Sequence, residues 1–279
     1  MPELPEVESV ARTLRPLVEH RRIRCVHVLH AIATKPQAPS SLVRAAQNQA
    51  ILAVRRKGKY LWLKLPRGII TLHFKLDGHL LWFSNAKELS KLANQPGSGV
   101  HVDVAFELDR GVLAFADARH FGRVQAWDSE QACPALTQLG VDAISPSFTS
   151  TSLFQLLSAS RRPLKDFLLD QSRIAGIGNI YSCESLWRAR LHPRRRANSL
   201  RPAESLRLHK AIVSVLSRAL ECCLHPAPDF RDPEWWFQGL EKILRAYGRE
   251  GKPCRRCGLP IQRFAQSGRS TYFCARCQK

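Results

Sequence analysis

Cys254-Arg-Arg-Cys257 is followed, after sixteen intervening residues, by Cys274-Ala-Arg-Cys277. Two CxxC pairs at this separation suit one tetrahedral Zn²⁺, each pair gripping the ion from a tight turn while the spacer forms a β-hairpin. Redox dithiols do not come doubled. Four thiolates leave no open position for water or substrate, so the expected ion is structural and its ligands are Cys254, Cys257, Cys274 and Cys277. Around them stand Lys252, Arg255, Arg256, Arg263, Arg269, Arg276 and Lys279, with no acidic residue after Glu250. A zinc-stapled basic hairpin reads as a finger for nucleic acid, and Arg269, beside Gly268 at the hairpin tip, is the side chain expected to meet a phosphate or a groove. The other cysteines (25, 133, 183, 222 and 223) are expected to be small buried hydrophobes.

The whole chain shares this charge bias. Of its 279 residues, 43 are Lys or Arg and 23 are Asp or Glu, a formal net charge of +20. That excess makes a polyanion the leading partner and excludes an ordinary small-metabolite enzyme as the default. The length suits one large domain or two to three small ones, and 44% apolar residues can bury a core. No stretch approaches the roughly 18 apolar residues of a membrane span. The acidic start is unlike a secretory signal, and an odd cysteine set with four clustered is unlike a secreted disulfide scaffold. A cytoplasmic, nucleoid-associated location is the expectation.

Working back from the ribbon, residues 225–237 are proline-rich and read as a loop or linker. Pro202, at a first helical position with Glu204 behind it, opens a long helix through Leu208, Ile212, Val215 and Leu216 to about Cys223. Leu153, Leu156 and Leu157, then Leu164, Phe167 and Leu168, mark two further amphipathic helices. Between residues 51 and 116 the period changes. Ile51–Arg55, Tyr60–Leu65, Ile69–Phe74, Val102–Leu108 and Val112–Ala116 are short, β-prone and bounded by turns such as Lys57-Gly58 and Asp109-Arg-Gly111. Val7, Val10, Leu14, Leu17 and Val18 place a helix ahead of these strands. The expected fold is multidomain α+β: an N-terminal β-sandwich with a leading helix (1–135), a helical module (147–223), a linker region (224–244) and a zinc ribbon (245–279).

Two motifs carry chemistry on less specific signals. Ala175-Gly-Ile-Gly-Asn179 joins two helices. It reads either as a helix-capping turn or, near Arg173 and Arg194-Arg-Arg196, as a backbone cradle for DNA phosphates to which the Asn179 amide adds a bond. At the start, Met1 precedes proline, so the initiator methionine is expected to be removed and Pro2 to offer a secondary amine. A free α-amine titrates near 8, some 2.5 units below lysine. It can form a Schiff base at a carbonyl-like carbon while a carboxyl such as Glu3 or Glu6 moves the proton. Acids in a first helical turn also simply complement the helix dipole.

Taken together, Pro2-Glu-Leu-Pro-Glu-Val-Glu8, Gly176-Ile-Gly-Asn-Ile-Tyr181 with Glu184-Ser-Leu and His192-Pro, and Tyr247-Gly-Arg-Glu-Gly-Lys-Pro-Cys254 resemble the formamidopyrimidine-DNA glycosylase / endonuclease VIII family. The start looks like the formamidopyrimidine branch, since the other branch typically has glycine at Leu4. The resemblance implies a β-sandwich, a helix–two-turn–helix module and a zinc ribbon, with damaged double-stranded DNA in the cleft between lobes and a monomeric enzyme. It implies base excision followed by strand cleavage: Pro2 attacks C1′, the base leaves, and the Schiff base drives β,δ-elimination. Glu3 matches the family's acid and Glu6 a supporting carboxylate. Lys59 matches the lysine of the sandwich, which the resemblance places among the catalytic residues, and with His73, Asn179 and Arg269 it would form cationic grips on the phosphates around the lesion, with His101 a further DNA contact. Asp117-Ala-Arg-His-Phe-Gly122 resembles the loop that fills the gap left by a flipped nucleotide. There Arg119 would pair with the orphaned base and Phe121 wedge the stack, with Leu76 standing where the branch has methionine.

One departure bears on specificity. Where the family has a Gly-Gly-Thr-Thr-like segment leading to the loop over the flipped base, this chain has Cys222-Cys-Leu-His-Pro-Ala-Pro228. Oxidised purines (8-oxoguanine and formamidopyrimidines) are the default substrates. The alternatives are an oxidised-pyrimidine enzyme of the endonuclease VIII type and a lesion-binding protein without chemistry.

Overall fold

The β-prone runs form strands and sort into two antiparallel sheets in a computed structural model that describes residues 2–93, 100–225, 229–230 and 239–279. In chain order, α1 (Leu4–Val18) leads to β1 (Ile23–Val28), α2 (Pro39–Ala46), β2 (Ala53–Lys57), β3 (Tyr60–Lys64), β4 (Ile69–His73), β5 (His79–Phe83), α3 (Ala86–Ala93), β6 (Val102–Leu108), β7 (Val112–Ala116), β8 (Arg123–Trp127) and α4 (Pro134–Thr137). One four-stranded sheet has the order β1-β6-β7-β5 and the other β2-β3-β4-β8. Strands β4, β6 and β7 are buried at nearly every position and β3 at its three central ones, so they read in the sequence as apolar runs rather than alternations.

Sequence periodicity overlooked β1, β5 and β8. A bulge between Ile23 and Cys25 breaks the alternation of β1, and β8 turns Arg123 and Gln125 outward, which lowers its apolar count. The first expected strand starts two residues later than its sequence suggests, because Ile51 and Leu52 bond outside the ladder, to Arg21 O and Lys64 O.

These elements, with Pro2 and the described residues from 224 to 230, form one compact unit; Glu3–Pro5, Gln138–Cys223 and Gly239–Lys279 form a second. In the first, Val7, Val10, Leu14 and Val18 of α1 are fully buried, each worth about 1.5–3 kcal/mol relative to exposure. Leu17, expected on the same face, is half-buried. Polar contacts fix the helix to edge strand β2: Arg15 donates to Val54 O, Glu19 accepts from Val54 N, and Glu8 pairs with both Arg56 (2.7 Å) and Arg12 (2.8 Å). Burial pushes the Glu8 carboxyl up, but the two guanidinium groups outweigh it and hold it below the usual range.

The second unit contains β9 (Val141–Asp142), α5 (Ser150–Ser158), α6 (Leu164–Leu169), β10 (Ile174–Ala175), α7 (Asn179–Ala189), α8 (Pro202–Leu224, all but its last residue), α9 (Leu240–Ile243), β11 (Gln262–Gln266) and β12 (Arg269–Phe273). Glu204 anchors the start of α8 by accepting both guanidinium N–H groups of Arg195, at 2.6 and 2.7 Å; these bonds bring its carboxyl down to about 2. The linker expected at 225–237 falls mostly outside the described residues. Of the non-ribbon cysteines, Cys133, Cys183 and Cys223 are buried as expected, while Cys25 and Cys222 are only half-buried, on a strand flank and a helix flank.

Candidate functional site

The glycine turn is built around a carboxylate. Glu3, 1% exposed, accepts backbone N–H bonds from Gly178 (2.7 Å), Ile180 (2.9 Å) and Tyr181 (3.4 Å). The first-turn N–H groups of α7 have no partner within the helix, and Glu3 supplies one to them, with its charge at the favourable end of the dipole. Next to it Leu4 N–H bonds to Gly176 O at 3.1 Å. Gly176 sits at φ +106°, and a Cβ there would overlap the Leu4 side chain. Turn and amino-terminal segment are therefore interlocked. Gly176→Ala should destabilise the protein by about 2–4 kcal/mol through strain and overlap, and an unchanged denaturant midpoint would refute the interlock. Pro2 and Glu6 are both buried.

Asn179, read separately from Arg269 in the sequence, bonds to the residue that follows Arg269. Arg269 is exposed at the tip of the β11–β12 hairpin, after Ser267 and Gly268 at φ 49° and 73°. Its neighbour Ser270 accepts through its carbonyl from Asn179 Nδ2 (3.1 Å) and from Lys165 Nζ (2.9 Å), and Lys165 also donates to Thr271 Oγ1 at 2.6 Å. One N–H of the Asn179 amide, expected to point at DNA, is thus committed to the hairpin. Lys165 was not foreseen. The stripe Leu164, Phe167 and Leu168 places it beside the apolar face, and only the approach of the hairpin brings it to 0% exposure. Burial lowers its ammonium from the ordinary lysine value, with Arg269 adding to the effect.

Glu184 does for the ribbon what Glu3 does for the turn. It is buried and accepts N–H bonds from Arg245 (2.9 Å), Ala246 (2.8 Å) and Tyr247 (2.8 Å). Burial raises its pKa, and the three N–H groups oppose the rise. Glu184→Ala orphans all three donors and should cost about 3 kcal/mol or more, while Glu184→Gln keeps an acceptor and should cost less. Equal chemical stability of Glu184→Ala and wild type would contradict this.

In the first unit, Lys59 lies in the two-residue turn between β2 and β3, where Lys57 pairs with Tyr60. Tyr60 in turn pairs with His73, their rings 4.4 Å apart, so Lys59 and His73 share one corner. His73 departs from the expected cationic grip. Burial, and then Lys75 and Lys59, pull its pKa down to about 3, so the ring is neutral near pH 7. Because its Nδ1 accepts from Lys75 N–H at 3.0 Å, the ring proton lies on Nε2, which is left as a neutral donor.

Leu76, Arg119 and Phe121, from two distant loops, stand together and exposed. Arg119 pairs with Asp77, the residue after Leu76, and covers the Phe121 ring at 5.6 Å. Buried Asp117 holds this loop by accepting from Arg119 N (3.0 Å) and Gly122 N (2.6 Å). His101 is exposed beside the loop, its ring 6.3 Å from that of His120.

The four expected ligand cysteines converge, with all Sγ atoms within 4.8 Å of one another. A Zn–S bond of about 2.3 Å separates tetrahedral sulfurs by about 3.8 Å, so the set fits Zn²⁺. Trp187 Nε1–H donates to Cys254 Sγ at 3.4 Å. Burial raises the Cys254 thiol, but backbone N–H groups of Arg256 and Cys257 and the indole outweigh it and bring it down to about 6, whereas burial and the neighbouring sulfurs push Cys274 and Cys277 up. Arg256 stacks on the indole at 4.0 Å and donates to Trp187 O.

Three family models follow one another along the chain: the formamidopyrimidine-DNA glycosylase N-terminal domain over residues 1–124, its H2TH domain over 139–224, and the zinc finger found in FPG and IleRS over 251–279. These modules define a class, the DNA glycosylases that carry a structural zinc ribbon. The formamidopyrimidine-DNA glycosylase of Symbiobacterium thermophilum is 39% identical, over 100% of this chain and 89% of that protein; that of Bacillus licheniformis is 34% identical over 100% of both. Among solved structures, the MutM (Fpg) protein of Thermus thermophilus superposes with a TM-score of 0.82 at 35% identity, over 99% of this chain and 98% of that one. Lactococcus lactis Fpg in complex with DNA containing an oxidised pyrimidine gives 0.87 at 26% identity, over 100% of each. The chain belongs to the formamidopyrimidine-DNA glycosylase family. It is accordingly an enzyme of base-excision repair, and the reading as a lesion-binding protein without chemistry falls away. Among the described residues no helix is long and apolar enough to cross a membrane.

Proposed function

We propose that this enzyme excises oxidised purines from duplex DNA and then cuts the strand through a Schiff base on Pro2. The observation that carries the reading is the buried Glu3 carboxyl, adjacent in sequence to Pro2 and held by three backbone N–H groups. A carboxyl fixed this firmly keeps one position while protons move to the sugar and from it. The Pro2 nitrogen bonds to C1′ and gives up its proton as the glycosidic bond breaks with its electron pair leaving on the base, which takes up a proton; the C1′–O4′ bond then opens with a proton delivered to O4′, and the iminium this leaves acidifies C2′–H for elimination of the 3′ and then the 5′ phosphate. Glu6, buried in the first turn of α1, supports the same centre.

Lys59, Arg269 and the neutral Nε2–H of His73 hold phosphates, while Asn179 serves by fixing the hairpin as well as by contact. Leu76, Arg119 and Phe121 fill the gap left by the extruded nucleotide, with His101 beside them. Arg119 exchanges Asp77 for the orphaned base on binding. The chain works as a monomer on damaged double-stranded DNA in the cytoplasm, associated with the nucleoid. Its modules are taken as 1–135, 147–223, 224–244 and 245–279.

A second substrate class has an observation behind it, since the Lactococcus lactis relative was solved with DNA containing an oxidised pyrimidine. Incision of duplexes carrying 8-oxoguanine opposite cytosine, or 5-hydroxycytosine opposite guanine, separates the two. Faster incision of the first, by about tenfold or more in kcat/KM (about 1.4 kcal/mol), is expected; the reverse order would overturn the purine assignment.

A further inference from the structure

The first unit holds a second cluster of metal donors that the repair chemistry does not use. Asp103, on β6, is fully buried. Its Oδ1 lies 3.1 Å from His30 Nδ1 and 2.6 Å from His120 Nδ1, and the two imidazole rings are 4.7 Å apart between centroids. All three donor atoms fall within 4.8 Å of one another. The second carboxylate oxygen, Oδ2, is buried with no hydrogen-bond partner. A buried carboxylate oxygen without a partner carries a desolvation cost that a bound cation would relieve.

The backbone fixes all three residues before any ion arrives. Leu29 and His30 N–H donate to Asp103 O at 2.8 and 3.1 Å, tying the end of β1 to β6. His120 stands at φ 54°, its N–H bonded to Asp117 O at 3.1 Å. His30 Nδ1–H also donates to Val102 O at 3.1 Å, a bond that ligation would replace as the ring proton leaves. We propose that His30, Asp103 and His120 form a second metal site, open to solvent, that takes a divalent transition ion of the zinc, cobalt or nickel type.

Two imidazole nitrogens with one carboxylate select this class over Mg²⁺ or Ca²⁺, which prefer oxygen alone, and over thiolate-seeking ions. Ligand bonds of about 2.1 Å spread tetrahedral donors to about 3.4 Å, so the present contacts need open by less than about 1 Å. The histidine side chains are 47% and 30% exposed, which leaves the remaining coordination positions to water. The ion would clip the loop carrying Arg119 and Phe121 to the end of β1, because His120 lies between those two residues.

The test uses the untagged full chain with its ribbon zinc in place, titrated with Co²⁺. The expected result is one further equivalent per chain with weak visible d–d bands and no thiolate-to-cobalt charge transfer. His30→Ala and His120→Ala should each weaken that equivalent by at least about tenfold, as should Asp103→Asn. If the buried Asp103 variant does not fold, the two histidine variants, checked by circular dichroism, decide. A total that stays at one metal per chain would overturn the proposal. So would a second equivalent that shows thiolate charge transfer or that both histidine variants retain.

Discussion

A chain carrying any residue ahead of Pro2 is expected to give no borohydride-trapped adduct on an abasic duplex, while still binding that duplex. Once acylated, the proline nitrogen becomes a tertiary amide whose lone pair is delocalised into the carbonyl, so it cannot add to C1′. An ordinary free α-amine is far less protonated at neutral pH than a lysine. Loss of such a nucleophile typically costs about 10³-fold or more in rate. Pro2→Gly supplies the control, because it keeps an α-amine and should retain part of the trapping. Undiminished trapping by a chain with a blocked amine would move the nucleophile elsewhere. Intact-mass measurement of the wild-type chain is the companion check, with the methionine expected to be absent.

Removing zinc should have the next largest effect. The ribbon has only a small apolar cluster: Cys254 and Cys274 pack with Ala246, Ile261 and Trp187, and Cys257, Cys277 and Tyr272 cover them. A two-stranded hairpin of this size is not independently stable, so the ion supplies the folding free energy, about 10–16 kcal/mol for structural zinc at neutral pH. Chelation or Cys254→Ser is expected to unfold residues beyond about 250 while the β-sandwich stays folded. Arg269 would then lose its defined position, and with it the support of Lys165 and Asn179 under Ser270. DNA affinity should fall, and the slope of log K against log salt should shrink by about 0.9 for each phosphate that the ribbon no longer neutralises. Equal affinity and an equal salt slope after zinc removal would contradict this.

Much of the architecture was legible because it is written locally. The paired CxxC motifs, the hairpin tip at Gly268 and the Pro202 helix start depend on residues a few positions apart. The neutral state of His73, by contrast, is not written locally. Its charge is set by burial and by Lys59 and Lys75, and periodicity carries no information on either. Lys165 was overlooked because a lysine beside an apolar stripe reads as a solvated flank until a segment 105 residues away closes over it.

Spacing along the chain thus made the three modules and the metal ligands legible, since backbone preferences and chelate geometry act over a few residues. The remainder came from folding. Pinning of Glu3 by the turn at 178–181, the pairing of Arg119 with Asp77 next to Leu76, and the convergence of His30 and His120 on Asp103 each join segments far apart in sequence. The charge and orientation of a side chain follow from what surrounds it, and those neighbours are chosen by the packing of the whole unit.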